Sequence, residues 1–231
     1  KLVGQLLQPL DVVILVCPID ESAPKGRLIL PQQQTIRDVL EAGAIAVVVR
    51  EHELAAALEQ LNGKAAMVIT DSQAFSLVSA VTPDSIPLTS FSILMANYKG
   101  FLKTAVEGIS ALKNLKDGDK ILIAEGCTHH RQCNDIGSVK LPRWLLKYTG
   151  KNLDFEFCSG LEFPEELSRY ALVVHCGGCM LTEREIQYRM RCTVDSGVPF
   201  TNYGTVIALV TGTLERSLRV FPEIHKLLSF S

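Results

Sequence analysis

Short apolar runs alternate with amphipathic stretches along the first half of the chain. Three runs are long enough for buried strands and too short for typical helices: Asp11–Ile19, Ala44–Val49 and Ala65–Thr70. Between them the pattern predicts one helix capped by Thr35 and ending at Gly43, and a second over Glu51–Leu61. Continuous apolar strands separated by helices indicate a parallel sheet covered on both faces.

The alternation pauses at Val81–Ser92, a segment with two prolines and several Ser and Thr residues. We place a domain boundary there, which gives a first domain of residues 1–91 and a second of residues 92–231. The elements predicted for the second domain are helix 97–115, strand 120–124, helix 140–149, strands 153–157 and 171–174, helix 183–196, strand 198–201 and helix 204–218. The predicted fold class is α/β, with two domains that each contain a mainly parallel sheet flanked by helices.

The composition limits the classes of protein to which this chain is expected to belong. The 231 residues are 47% hydrophobic and 21% charged, with a net charge of −2. We therefore expect a folded protein with no nucleic-acid or membrane partner. There is no apolar run of membrane-spanning length and no signal peptide, so we expect a cytoplasmic protein. Because the chain begins at Lys1 without an initiator Met, we expect it to be part of a longer protein.

Two clusters of metal-binding residue types follow predicted strands of the second domain. Glu125–His130 (EGCTHH) comes directly after strand 120–124, and His175–Cys179 (HCGGC) comes directly after strand 171–174. The carboxyl ends of parallel strands form the edge at which open α/β sheets bind ligands. The 45 residues between His129 and His175 are enough for a helix, a strand and their loops. We therefore expect the two clusters to meet in space.

The residue types predict a metal centre with Cys127, Cys176 and Cys179 as thiolate ligands. Glycines between the last two cysteines permit backbone angles that let both sulfurs turn toward one metal. A capping box of Thr182 and Glu185 is expected to start the next helix, whose positive end favours thiolates or an anionic cluster. Three such cysteines suit an iron–sulfur cluster or zinc, and His129 or His175 would complete a four-ligand set.

The other candidates in the sequence have ordinary interpretations. Cys17 lies in an apolar strand and Cys192 on a helix, so both are expected to be packed thiols. Cys158 also ends a predicted strand, at the same edge as the clusters, yet a buried thiol is the simpler expectation. Glu125 is able to serve as an oxygen ligand, although a surface carboxylate is commoner at such a position.

The pattern C-T-H, 45 residues, H-C-G-G-C resembles the C-x-H…H-C-x-x-C signature of the FeFe-hydrogenase maturation protein HydF family. The segments APKGRLILPQ (residues 23–32) and TIRD (35–38) resemble that family's middle domain, so the resemblance covers nearly the whole chain. The family consists of a GTPase, a dimerisation domain and a cluster-binding domain. No G-x-x-x-x-G-K-[ST] phosphate loop occurs here, so the resemblance implies only the last two parts, and enzymatic activity is not expected.

The resemblance implies a scaffold with a function in hydrogenase maturation. Cys127, Cys176 and Cys179 would bind a 4Fe–4S cluster with an exchangeable fourth iron site, near which His129 and His175 lie in the motif. The implied assembly is a homodimer that receives a di-iron subcluster precursor, made with the radical-SAM maturases HydE and HydG, and transfers it to apo FeFe-hydrogenase. Two alternatives remain at this point: a structural zinc site in an interaction module, or a Cys-Gly-Gly-Cys dithiol oxidoreductase.

Overall fold

The computed structural model describes residues 1–19, 28–126 and 135–230, with side chains up to residue 228. The chain divides into two compact units. The first comprises Lys1–Tyr98 and Thr211–His225, and the second comprises Lys99–Val210 and the residues from Lys226 on. In the described ranges, no helix is both long and apolar enough to cross a membrane.

Each unit contains, within the described residues, one sheet of four parallel strands. The first unit has β1 (Val12–Val16), β2 (Ile45–Val49), β3 (Met67–Thr70) and β4 (Leu88–Ser90), in the spatial order β2-β1-β3-β4. The second has β5 (Lys120–Ala124), β6 (Asp154–Cys158), β7 (Leu172–His175) and β8 (Phe200–Asn202), in the order β6-β5-β7-β8. The predicted fold class, two α/β domains with parallel sheets, is confirmed.

Helices connect the strands of both sheets. In chain order they are α1 (Leu30–Glu41), α2 (Leu54–Gln60), α3 (Phe75–Val81), α4 (Phe91–Tyr98), α5 (Leu102–Gly108), α6 (Leu141–Thr149), α7 (Glu183–Asp195), α8 (Tyr203–Val210), α9 (Leu214–Leu218) and α10 (Pro222–His225). Short 3₁₀ segments occur at Gly4–Leu6, Glu51–Glu53, Ser72–Ala74, Ile109–Asn114 and Lys226–Phe230, and a π-helical turn at Ile136–Lys140 precedes α6.

Strand β1, inside the first sheet, packs on both faces, which explains its uninterrupted apolar sequence, whereas Ile45 and Val48 of the edge strand β2 are exposed. Val13 and Leu15 of β1 pack in one core with residues of α1 and α4. Ile14 and Val16 pack in a second core with residues of α2 and α3. Alternate residues of a strand point to opposite faces, so a strand covered on both sides is apolar at every position. Cys17 belongs to the first core, and burial raises its pKa to about 12, as expected of a packed thiol.

The boundary predicted between residues 91 and 92 differs from the observed division at two places. Helix α4 stays with the first unit because Phe91, Leu94 and Met95 are part of its core. The segment Thr211–His225 returns to the first unit, where Val220 and Phe221 pack against the same core. Composition predicted a domain boundary within the Pro-containing segment Val81–Ser92, but its residues Leu88–Ser90 form β4 of the first sheet.

Several predicted helices have different ends from those observed. Helix 97–115 is interrupted after α4, where Gly100 has a φ of +74°, and helix 204–218 is interrupted after α8, where Gly212 has a φ of +72°. Thr35 does not cap α1, which begins five residues earlier; its hydroxyl donates to the Pro31 carbonyl within the helix (2.8 Å). Helix α3 and strand β4 were not predicted from the pattern.

Candidate metal centre

The two sequence clusters meet at the carboxyl edge of the second sheet. Ala124, the last residue of β5, is the register partner of His175, the last residue of β7. The Cys176 amide donates to the Ala124 carbonyl (2.8 Å), and the Gly126 amide donates to the Cys176 sulfur (3.1 Å). These bonds link the residue that precedes Cys127 in the sequence to a cysteine of the other cluster. For the described residues, the predicted meeting of the clusters is confirmed.

The sulfur of Cys176 accepts a second backbone hydrogen bond. The Gly178 amide lies 3.3 Å from it, so two N–H groups point at one sulfur. Hydrogen bonds to the charged form of a group favour that form. The backbone around Cys176 is therefore arranged to stabilise a thiolate.

The two glycines of the cysteine loop, residues Cys176–Leu181, are not equivalent. Gly178 has a φ of +61°, whereas Gly177 has ordinary backbone angles and open space where a Cβ would lie. The left-handed turn at Gly178 precedes Cys179, which is half-buried. Burial raises the pKa of the Cys179 thiol, and the positive charge of Lys99 opposes that rise.

Lys99 is a residue of the site that the sequence pattern did not single out. Its side chain is buried, and its ammonium donates to the carbonyls of Gly178 and Leu181, the latter at 2.6 Å. The Gln187 side chain, on α7, donates to the Lys99 carbonyl (2.6 Å). Burial lowers the pKa of Lys99, whereas the charges of Cys179, Cys176 and Glu183 raise it. The interruption of the helix at Lys99–Gly100 places this lysine beneath the loop. The sequence pattern predicted one continuous helix at this point.

His175 is fully buried, and both of its ring nitrogens have protein partners. Nδ1 lies 2.8 Å from the Cys176 carbonyl, which only accepts, so Nδ1 carries the proton. Nε2 then accepts from the Arg189 guanidinium (3.4 Å). The ring stacks on Phe200, and burial lowers the pKa of His175 to about 4. In this arrangement a metal bond to either nitrogen would displace a protein partner, and the histidine supports the Cys176 backbone.

Arg189 of α7 is a second buried cation that sequence reasoning missed. Its Nε donates to the Glu185 carboxylate (2.8 Å), its Nη2 donates to the Gly160 carbonyl (2.7 Å), and its guanidinium lies over the Phe163 ring. The sequence predicted a capping box at the start of α7. Its first half is confirmed, because the Thr182 hydroxyl accepts from the Glu185 amide (3.1 Å). The second half is wrong, because the carboxylate pairs with Arg189 instead.

Glu125 is 4% exposed, so the interpretation of it as a surface carboxylate is wrong. The Tyr203 hydroxyl donates to it (3.1 Å). Gly137 lies so close that a Cβ there would be 2.2 Å from the carboxylate and 2.4 Å from the hydroxyl. Burial raises the pKa of Tyr203, and the charges of Glu125 and Cys176 add to the rise. The contact with Tyr203, 78 residues away in sequence, explains how the carboxylate is accommodated.

The remaining predicted site residues are distributed as follows. Cys127 and His129 lie outside the described residues, as does the whole of 127–134. Cys158 ends β6 at the same edge, its carbonyl accepts from the Glu125 amide (2.9 Å), and burial raises its pKa to about 11. Cys192 is half-buried on α7. Within the described part of the chain, no three His, Cys, Asp or Glu side chains are grouped to hold a metal ion.

Comparisons with known proteins test whether the chain belongs to the family that its sequence resembles. No curated protein matches the chain. Among solved structures, aspartate transcarbamoylase from Trypanosoma cruzi, in complex with N-(phosphonacetyl)-L-aspartic acid, aligns over 90% of this chain and 84% of its own. That alignment has 10% identity and a TM-score of 0.31, too low for any inference about function.

The family models match almost the entire chain. Residues 2–100 match the hydrogen maturase F dimerization domain, and residues 103–220 match the hydrogen maturase F tetramerization domain. Both names describe association of subunits, and neither matched domain is a GTPase. The resemblance found in the cysteine and histidine pattern is thereby confirmed from both halves of the sequence: this chain belongs to the hydrogen maturase F family and contains its dimerization and tetramerization domains.

Proposed function

We propose that this chain is the scaffold portion of a hydrogenase maturase, in which Cys127, Cys176 and Cys179 bind a 4Fe–4S cluster. The observation that carries the proposal is the hydrogen bond from the Gly126 amide to the Cys176 sulfur. It joins two cysteine-bearing segments that are 50 residues apart in sequence. Membership of the hydrogen maturase F family supports a role in hydrogenase maturation.

The described residues suit an anionic metal cluster. Cys176 has two N–H donors on its sulfur, and a positive ammonium contacts the loop that carries both Cys176 and Cys179. Iron–sulfur clusters are held by thiolates, and hydrogen bonds to sulfur tune their reduction potentials. Cys127 follows Gly126 directly in sequence, which makes it our proposed third ligand. When bound, the cluster would supply an iron with an exchangeable position, at which cargo docks.

The cargo in this proposal is a di-iron subcluster precursor, made with HydE and HydG and delivered to apo FeFe-hydrogenase. Three protein thiolates leave one iron of a cubane cluster without a cysteine ligand. His129 is our proposed neighbour of that position. We assign His175 to supporting the Cys176 backbone, because both of its ring nitrogens have protein partners. GTP turnover is not assigned to this chain, because its sequence has no phosphate-loop motif.

The ligand assignment is tested by single substitutions after anaerobic reconstitution with iron and sulfide. Cys176→Ser is expected to lose most of its bound iron and its paramagnetic resonance signal, because a cluster held by three thiolates loses one of its covalent bonds to the protein. Cys192→Ser, on α7, is the matched control and should retain both. Equal iron content in the two variants would contradict the assignment. A wild-type protein with stoichiometric zinc and no sulfide would indicate the zinc site instead, and a metal-free active dithiol would indicate the oxidoreductase.

The scaffold role is tested by transfer. The reconstituted chain, loaded with a synthetic di-iron complex, is expected to activate apo-hydrogenase above a Cys176→Ala control, with hydrogen evolution as the measurement. Infrared bands of bound CO and cyanide report loading independently of transfer. Bands without activation would show that delivery requires a further domain, and absent bands would contradict the scaffold.

A further inference from the structure

Lys99 is a charged side chain buried under the cysteine loop, and its environment is unusual for a lysine. Only 6% of the residue is exposed. Its ammonium donates to two carbonyls of the loop, those of Gly178 and Leu181. Among the described residues, no carboxylate lies within ion-pair distance of its Nζ. A buried cation is costly unless it is paired, so its charge needs compensation.

The groups whose negative charge would compensate Lys99 are the thiolate forms of the loop cysteines and Glu183 in the first turn of α7. Burial lowers the pKa of Lys99, and the negative charges of Cys179, Cys176 and Glu183 oppose that change. The carbonyls that accept from it belong to Gly178, which precedes Cys179, and to Leu181, two residues after it. Lys99 therefore binds the backbone on both sides of one proposed ligand, Cys179.

The backbone of Lys99 is held as well. Gln187 donates to its carbonyl, and Gly100 follows it with a φ of +74°. A Cβ at residue 100 would lie only 2.7 Å from the Gln187 amide nitrogen, which is too close for a side chain there. The lysine is thus fixed to α7 through its main chain and to the cysteine loop through its side chain.

We propose that Lys99 is a positioning residue that fixes the cysteine loop in its ligand-bearing conformation and supplies a buried positive charge to the metal centre. A cluster bound by three thiolates is anionic, and its reduction adds one more negative charge. A fixed cation in a low-dielectric surrounding stabilises the reduced form more than the oxidised form. The second half of this inference rests on the proposed function; the first half concerns the protein without metal.

The positioning role is tested on the metal-free protein by hydrogen exchange. The Leu181 amide donates to the Gly178 carbonyl (3.0 Å) and reports on closure of the loop. Lys99→Met preserves the aliphatic stem but removes the donor. We expect exchange at the Leu181 amide to be faster by about tenfold or more, because tenfold is the factor for losing even one of the two charged hydrogen bonds that Lys99 donates. Lys103→Met is the control, because Lys103 is 69% exposed and pairs only with Glu107 among the described residues. Equal exchange in the two variants would overturn the positioning role.

The electrostatic role is tested on the reconstituted protein by redox titration. Lys99→Met is expected to shift the cluster midpoint to more negative potential, by about 59 mV for a tenfold change in a one-electron equilibrium. Lys99→Arg keeps the charge and should remain near wild type, as should Lys103→Met. A potential in Lys99→Met equal to that of Lys103→Met would overturn this role, as would the same shift in a folded Lys99→Arg protein. A wild-type protein that takes up no iron would instead contradict the proposed function and leave the exchange result standing.

Discussion

Individual buried polar side chains hold the backbone of the site in place. Arg189 and His175 are both fully buried, and each satisfies groups on other elements. The guanidinium contacts α7 through Glu185, the loop after β6 through Gly160, and the end of β7 through His175. The histidine in turn holds the Cys176 carbonyl. One arginine therefore connects α7, the loop after β6 and the end of β7, next to the proposed ligand Cys176.

Replacing Arg189 is expected to destabilise the second unit. Arg189→Met leaves the Gly160 carbonyl and the His175 Nε2 without their donor and removes a buried ion-pair partner. Such losses cost about 3 kcal/mol or more. Urea unfolding monitored by Trp144 fluorescence reports on this unit, because Trp144 is the only tryptophan and lies on α6. Arg191→Met, at an exposed position of the same helix, is the control. The expectation fails if both variants unfold at the same urea concentration.

At the scale of elements, the loop between β7 and α7 determines the geometry of two cysteines in few residues. It leaves the sheet at His175, turns at Gly178 in the left-handed region, and enters α7 at the Thr182 cap. The sequence predicted that both glycines permit the turn. The structure assigns that role to one of them, because Gly177 has ordinary angles and unoccupied space around it.

The two glycines provide a matched pair of substitutions. Gly178→Ala should destabilise the loop by about 1–2 kcal/mol, because a Cβ is strained at a φ of +61°. Gly177→Ala meets no atom within 4 Å and should be tolerated. The measurements are the thermal midpoint of the metal-free protein and the iron content after reconstitution. Similar losses in both variants would show that the backbone angle at Gly178 is not the determinant.

At the scale of the molecule, the first unit is assembled from two separate stretches of the chain. Arg216 of α9 donates to the carbonyls of Thr82 and Pro83 (both 2.8 Å) and to the carbonyl and hydroxyl of Ser79 (2.8 and 3.0 Å). These groups lie at the carboxyl end of α3, where helical carbonyls lack partners within the helix. The Thr89 hydroxyl of β4 also donates to the Ser217 carbonyl (2.9 Å). Residues 211–225 therefore complete this unit.

Arg216 is consequently expected to matter more than its neighbour Arg219. Arg216→Ala removes four hydrogen bonds from a side chain that is 14% exposed. The loss should cost the first unit about 2–3 kcal/mol. Arg219 is 44% exposed and pairs with Asp84 and Glu215 at the surface, so Arg219→Ala should change little. Hydrogen exchange in β1 and β3 measures stability of this unit. Equal protection in the two variants would indicate that the returning segment is held by its apolar residues alone.

The alternation of apolar runs and helices was sufficient to predict the main strands of both sheets and the fold class. It was also sufficient to predict that the ends of β5 and β7 bring Gly126 and Cys176 together, because parallel neighbours finish at the same edge. These features depend on the residues within one element and on the geometry shared by all parallel sheets. The choice of cysteines as candidate ligands required only residue types and spacing.

Tertiary structure alone decided which charged residues are buried and which chain segments complete each unit. Lys99 and Arg189 have the sequence environment of surface residues, and residues 211–218 continue an apparent helix. A local sequence pattern indicates only interactions between residues that are close together along the chain. Burial of a charge depends instead on acceptors that are remote in sequence, and the two carbonyls that hold Lys99 are 79 and 82 residues away. Contacts of that range exist only once the fold has formed, so the lysine beneath the cysteine loop was not visible in the sequence.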